Sequence, residues 1–508
     1  MFVRKKLNKS GSISVQIISK TRGAYRVLKS VGSSNEPEAI ERLVCEARAH
    51  IIQIQRQGRL FPALTKENAA VVGFMHTLSN TAIRTIGPDH IFGTLFDRIG
   101  LGSVPEPLFR HLVVARLAYP KSKLKTADYL KRYRGIDVDV NDIYRFMDTL
   151  NTSHKTTVET IAFTHTKKTL GTITVVFYDM TTLYFEAKDE DDFRKIGFSK
   201  DGKFQCPQIM VGLLVGEGGY PIGYNLFEGN TFEGHTLIGT LNDIATKYRL
   251  GKPVVVADAA MLSKQNVAAL KKNEYTFIVG GRIKNESVPV KAQILKHELS
   301  KNGSSCEVVR NDGTRLIVTY SDQRAKKDKH NRVKGIEKLR KKVVSGILTK
   351  AHITNRGYNK FLSLAGEVSV TIDETKIEED ARWDGLKGYV TNTNLSHEKI
   401  VEHYGHLWQI EKAFRVSKSD LRVRPIFHRK RRRIEAHLCI AFVAYSIWKE
   451  LERLLKTRGV DMTPTRAADL THTMYAIEYR VPGVGTLDCV ILQMEDEQQL
   501  LSDAVHKN

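Results

Sequence analysis

Hydrophobic and polar positions change texture several times along the chain. Residues 12–17 alternate, with Ile13, Val15 and Ile17 apolar, and "AYRVLKS" follows a Thr-Arg-Gly turn, which predicts a β-hairpin. From about Pro37, the residues Ile40, Leu43, Val44, Ala47, Ile51 and Ile54 keep one apolar face, which predicts a helix. Apolar clusters over 89–165, such as Phe92, Leu95 and Phe96 or Ile143, Phe146 and Leu150, are punctuated by Gly-Leu-Gly, Pro105, Pro107 and Pro120. They predict several short helices. Within them, "KLKTADYLKRYRGIDVDVNDIYRFMDTL" has room for a helix-turn-helix, and a helical bundle without groove contacts accounts for the pattern equally well.

From residue 172 the pattern becomes strand-like. "TITVVFYD", "PQIMVGLLVG" and "YPIGYNLFEG" are apolar runs of strand length. They are followed by helical "EGHTLIGTLNDIATKY", strand "KPVVVADAA", helix "SKQNVAALKKN" and strand "YTFIVGG". The order predicts an α/β mixed sheet, hairpins first and crossovers later. Residues 282–386 interrupt it with a basic segment that is strand-like at both ends. "GLKGYVTNT" then reads as a last strand, and Ser396 as the N-cap of one long helix through Lys418.

Charge adds a partner. The 508 residues carry 79 Lys and Arg against 56 Asp and Glu, a net charge of +23, which suits a polyanion by neutralising phosphates. No apolar run approaches the length of a membrane span, and the N-terminus lacks the apolar core of a signal peptide. Five scattered cysteines with no CxxC argue against a disulfide framework or a structural zinc site. Together these predict a soluble protein of a reducing compartment.

The candidate chemistry lies in acids at strand ends. Asp179 closes "TITVVFYD" and Asp258 closes "PVVVAD", and the carboxyl ends of strands are where α/β sheets bind ligands. Close carboxylates repel unless a cation sits between them, and hard oxygen donors suit Mg²⁺ beside a phosphate. In "HYGHLWQIEKAFRVSKSDL", Tyr404, Leu407, Glu411 and Lys418 are spaced 3, 4 and 7 apart, offsets that share one face of a helix. Glu411 would then face the strand ends, flanked by Tyr404 and Lys418.

This helix motif resembles the Y-x2-R-x3-E-x6-K signature of bacterial insertion-sequence transposases of the "IS four" group. "YDMTTLYFE" and "VVVADAAMLS" resemble that family's two Asp motifs, and "GYPIGYNLFEGNTFEGHTL" resembles the segment between them. The likeness covers about 172–445, and 89–165 more loosely. Leu407 stands where the family usually has Arg, so one phosphate contact is missing, with Arg415 or His406 as its replacement.

The resemblance implies a ribonuclease-H-like core and a DDE mechanism. Asp179, Asp258 and Glu411 would bind two Mg²⁺ (or Mn²⁺) ions for in-line phosphoryl transfer. The partners implied are transposon-end and target DNA, handled by a homodimer in a paired-end complex in the bacterial cytoplasm, at the nucleoid. Tyr404, Lys418, Arg415, Arg431 and Arg432 are the expected DNA contacts, the last two from "HRKRRR". A related metal nuclease and a catalytically inactive DNA-binding derivative are the competing readings.

The expected organisation is an N-terminal hairpin and helix over 1–88 and a helical DNA-binding part over 89–165. The catalytic core spans 166–281 and 387–450 around the β-rich insertion at 282–386, and a helical region closes the chain over 451–508. "GFSKDGKF" has the spacing of a phosphate loop, but Phe204 replaces its Ser or Thr and no helix follows, so it reads as a turn. His437 reads as a core histidine, Trp383 as ordinary packing and the acidic run 186–192 as a solvated loop.

Overall fold

The protein is described by a computed structural model covering residues 1–21, 24–60, 79–261, 263–354, 356–365, 369–480 and 487–507. The chain forms two compact units, Met1–Ala82 with Glu478–Cys489, and Ile83–Ile477 with Val490–Asn508.

In the first unit, alternation along Ile13–Thr21 turns Val15 and Ile17 inward, and both are fully buried. The helix Pro37–Leu60 lays Ile40, Val44, Ala47 and Ile51 on them. Ala24–Ser34 pairs on one side as the sequence predicts, and Phe2–Leu7 pairs on the other, so the hairpin is a three-stranded meander. The extra strand, "FVRKKL", is an exposed edge rich in basic residues, which hides it from a search for alternation. The predicted turn at Arg22 and Gly23 and the side chain of Ile54 lie outside the described residues.

The second unit is built on an eight-stranded sheet. Its strands are β1 (Val175–Tyr184), β2 (Gln208–Val215), β3 (Pro221–Glu228), β4 (Val254–Ala257), β5 (Phe277–Gly281), β6 (Ser305–Val309), β7 (Arg315–Tyr320) and β8 (Leu386–Thr391), in the order β6-β7-β8-β5-β4-β1-β2-β3. β1, β2 and β3 are antiparallel, and β4 and β5 run parallel to β1. Five strands ordered β3-β2-β1-β4-β5 with these directions form a ribonuclease-H-like core.

Both faces of the sheet are covered, which explains the near-continuous apolar runs. Val176, Tyr178 and Val255 pack under α1 (Leu237–Tyr248) and α2 (Lys264–Lys272), the connections before and after β4. Val175, Phe177 and Val256 face the other side, where the helices Pro107–Ala118, Val140–Thr149 and Lys155–Leu170 share one core with the buried helix Arg431–Thr457. Among the described residues no helix is long and apolar enough to cross a membrane.

Three expectations change. The region after 451, expected to be helical, also holds the strands Tyr475–Arg480 and Leu487–Ile491. β1 does not end at Asp179 but continues to Tyr184, because β2 goes on pairing with it through Tyr184 and Gln208. What ends at this level is β4, so Asp179 sits mid-strand where its parallel neighbour stops. The segment 282–386 also does more than interrupt the core. Its strands β6 and β7 extend the central sheet antiparallel through β8, while Leu362–Ala365 and Ser369–Ile372 form a separate pair. In the basic helix Asp322–Val344, Ile336 and Leu339 pack on Phe361 and Leu362, and Arg332 pairs with Asp384 at 2.6 Å.

Gly212 on β2 is a test of this packing. A Cβ there would lie 2.5 Å from the hydroxyl of Tyr178, which is fully buried and donates to Thr236 at 2.8 Å. Gly212→Ala is therefore expected to destabilise the protein by about 1–3 kcal/mol, read as a lower urea midpoint with unchanged far-UV circular dichroism.

Candidate active site

Register brings the two aspartates together. Tyr178 pairs with Ala257 in parallel, so the next residue on each chain is an acid, and the two follow Phe177 and Val256 by two on the same face. Asp179 accepts the Met180 backbone N–H at 2.7 Å, and Asp258 accepts that of Ala260 at 2.6 Å. Burial pushes the Asp179 carboxyl up to about 6; Lys200 opposes the rise, and the carboxylates of Asp258 and Glu233 add to it.

Lys200 and Glu233 went unseen in the sequence. The Lys200 ammonium is 2.8 Å from Glu233 and 3.7 Å from Asp179, and it donates to the Met180 carbonyl at 2.7 Å. It comes from "GFSKDGKF", where Ser199 accepts the backbone N–H groups of Asp201 and Lys203, and Gly202 takes a φ of +72°. The turn was legible, but the targets of its charges were not. Asp201, the next residue, pairs with Lys418 at 3.3 Å and with Arg424.

The signature helix is not continuous. Ser396 does cap it, accepting the Lys399 N–H, but α3 (His397–Gly405) stops and α4 (Trp408–Arg415) begins after a break at His406 and Leu407. There Leu407, Gln409 and Ile410 donate to the carbonyls three residues back, so the turn tightens. A π-helical turn, Val416–Asp420, follows and carries Lys418. Leu407 is buried at the break, and Ile410 and Ala413 hold α4 on the core.

Tyr404 feels the charges of both Asp258 and Glu411. Burial pushes its phenol up to about 12, with Asp258 and then Glu411 among the charges adding to the rise. Its hydroxyl would lie 2.5 Å from a Cβ on Gly280, a position that also borders Ala259, next to Asp258. Lys387 lies over its ring at 4.4 Å, and Tyr389 meets it edge-on at 4.9 Å. Glu411 itself is exposed on α4. The structure thus joins Asp179, Asp258, Glu233 and Lys200, while Glu411 lies exposed on α4 and close enough to Tyr404 for its charge to act on that phenol. Among the described residues no three His, Cys, Asp or Glu side chains stand close enough to hold one metal ion.

The remaining expected DNA contacts are spread out. Arg415 is exposed on α4. Arg431 pairs with Glu435 at 3.0 Å, and Arg432 with Asp148 at 2.9 Å. Arg433, then Arg432, hold Asp148 down at about 2, although burial opposes them. His437 is a core residue, its Nε2 3.0 Å from the Val423 carbonyl, and Trp383 packs part-buried against the core under α1.

The donor set suits a hard divalent cation. Carboxylates on adjacent strands offer oxygen ligands, and an ammonium already stands where positive charge is wanted. Residues 170–447 match the family model described as "Transposase DDE domain". No curated protein matches the chain. Among solved structures, a piggyBac transposase synaptic complex with hairpin DNA is similar at a TM-score of 0.38 and 12% identity, over 76% of each chain. A Mos1 transposase paired-end complex with left transposon end is similar at 0.16 and 10%, over 31% of this chain and 53% of that one. With more than half of its length matched to that family model, this chain belongs to the DDE transposase domain family and is a metal-dependent DNA-cleaving enzyme.

Proposed function

We propose that the protein is the transposase of a bacterial insertion sequence of the "IS four" group, cutting DNA at the element's terminal inverted repeats and joining the ends to target DNA. The observation that carries the reading is the parallel pairing of Tyr178 with Ala257, which sets Asp179 beside Asp258 within the transposase domain. Asp179 and Asp258 are the first metal-holding pair, and Glu411 completes the catalytic set from α4. Two divalent cations, Mg²⁺ or Mn²⁺, would supply Lewis-acid activation of the attacking oxygen and charge neutralisation at the leaving oxygen.

The chain's own residues do the positioning. Tyr404, held by the Lys387 ammonium and the Tyr389 ring, presents its hydroxyl beside Asp258. Lys418 and Arg424, side by side on Asp201, form a cationic pair suited to one phosphate. Arg415, Arg431 and Arg432 carry positive charge to the surface on α4 and at the start of the long helix, where the DNA backbone would run. The helices over 89–165 bind the transposon end, and two copies hold paired ends. The reaction takes place in the bacterial cytoplasm, at the nucleoid.

Asp179→Asn, Asp258→Asn and Glu411→Gln are each expected to lower Mg²⁺-dependent cleavage of inverted-repeat DNA by about 1,000-fold or more. Binding of that DNA in gel shifts stays within about threefold of the unaltered protein. Normal cutting by any of the three removes that residue from the catalytic set.

Asp179 also gives a pH signature. Its carboxyl holds a proton more tightly folded than unfolded. The stability this contributes is full below the usual carboxylate pKa and is lost as pH rises through about 6. Metal-free Asp179→Asn is therefore expected to be more stable than the unaltered protein near neutral pH, by about 1–3 kcal/mol. In thermal melts the gain shrinks as pH falls towards 4.

A further inference from the structure

The turn Ser199-Lys200-Asp201-Gly202 sends two opposite charges, from neighbouring residues, into two different clusters. Lys200 donates to Glu233 at 2.8 Å and to the Met180 carbonyl at 2.7 Å, with Asp179 3.7 Å away. Asp201 pairs with Lys418 at 3.3 Å and with Arg424. Although both belong to a turn, their side chains keep only 33% and 18% of their exposure. Withdrawing a Lys-Asp pair from water costs free energy that a turn needed only for chain reversal would not spend.

The local construction holds this arrangement. Ser199 is buried, and its hydroxyl ties down the N–H groups of Asp201 and Lys203. The Gln208 side-chain amide donates to the Phe198 carbonyl at 3.0 Å, anchoring the turn to β2.

The geometry points to Lys200 and Asp201 as positioning residues that stand in for the two charges of the reaction. Lys200 takes the place of the cation at Asp179, and Asp201 takes the place of a DNA phosphate at Lys418 and Arg424. The inference rests on the metal and phosphate roles proposed above. Before either ligand arrives, the ammonium keeps Asp179 and Glu233 together against their repulsion, and the carboxylate does the same for Lys418 and Arg424. A divalent cation at Asp179 displaces Lys200, and Asp201, one peptide bond away, is drawn off its partners. The two cations are then free for a phosphate. Metal and DNA therefore strengthen each other's binding through one turn, a reciprocal coupling.

The test uses the full chain with Mn²⁺ alone and with a labelled duplex alone or together. Free Mn²⁺ is followed by electron paramagnetic resonance, and duplex binding by fluorescence anisotropy in EDTA and in Mn²⁺. Lys200→Met is expected to tighten Mn²⁺ binding about tenfold, and Lys200→Arg to change it by less than about twofold. Asp201→Asn tightens duplex binding in EDTA by about fivefold. The gain in duplex affinity on adding Mn²⁺ shrinks in Lys200→Met and in Asp201→Asn. Lys200→Gln replaces Lys200→Met if the latter loses its circular dichroism signature.

Unchanged or weaker Mn²⁺ binding without the Lys200 charge overturns the cation stand-in, provided that Asp179→Asn weakens Mn²⁺ binding. Unchanged or weaker duplex binding by Asp201→Asn overturns the phosphate stand-in. If Asp179→Asn leaves Mn²⁺ binding intact, the metal assignment itself falls, and the inference with it.

Discussion

The parallel register between β1 and β4 is the constraint on which the site depends. With Tyr178 opposite Ala257, Asp179 and Asp258 follow together on the face that carries Phe177 and Val256. Side chains on a strand alternate, so a slip of one residue would turn Asp179 into the core beneath α1 and bring Tyr178 out of it. The register is therefore enforced by burial on both faces, by Val176, Tyr178 and Val255 on one side and Val175, Phe177 and Val256 on the other. The apolar core thus carries the cost of holding a carboxylate largely out of water beside another, a cost visible in the proton affinity of Asp179, which burial raises first and Asp258 further, and in the ammonium drawn to it.

Legibility in the sequence follows the range of the interaction that shapes each element. β1, β2, β4 and β5 announce themselves because a strand buried on both faces needs apolar residues nearly throughout, as in "PQIMVGLLVG". Ser396 is legible because a cap is a contact over three residues. β6 and β7 read as strands, but their union with the core sheet does not, since β7 reaches it only through β8, as with Thr319 opposite Lys387. A pattern within a segment says that it has a partner face; it does not say which edge will supply it.

The same rule divides the site. The aspartates could be found because each sits at the end of its own apolar run. Lys200, Asp201 and Glu233 could not, because their partners are distant in sequence: Asp201 meets Lys418 across 217 residues. The local signals of this loop, Ser199 and Gly202, describe a turn correctly and are silent about where its charges go. Lys200 is also a chemical surprise in a place expected to hold metal ligands. A set of acids assembled by strand register must be neutralised even when no ion is bound, and the nearest basic residue on a well-anchored turn meets that need.

The break in the signature helix follows from what its side chains must reach. On one continuous helix, offsets of 3, 4 and 7 would line Tyr404, Leu407, Glu411 and Lys418 along a single stripe. A turn closed by bonds to the third residue back advances about 120° per residue instead of about 100°. A π-turn advances less, so the stripe is twisted at both ends of α4. The consequence is a division of partners: Tyr404 packs between Lys387 and Gly280 beside Asp258, Leu407 goes into the core, Glu411 stays exposed, and Lys418 reaches the turn after β1. This also accounts for an apolar residue at position 407. Where the helix breaks, that side chain points into the core shared with Ile410 and Ala413, and a charge there would be buried without a partner.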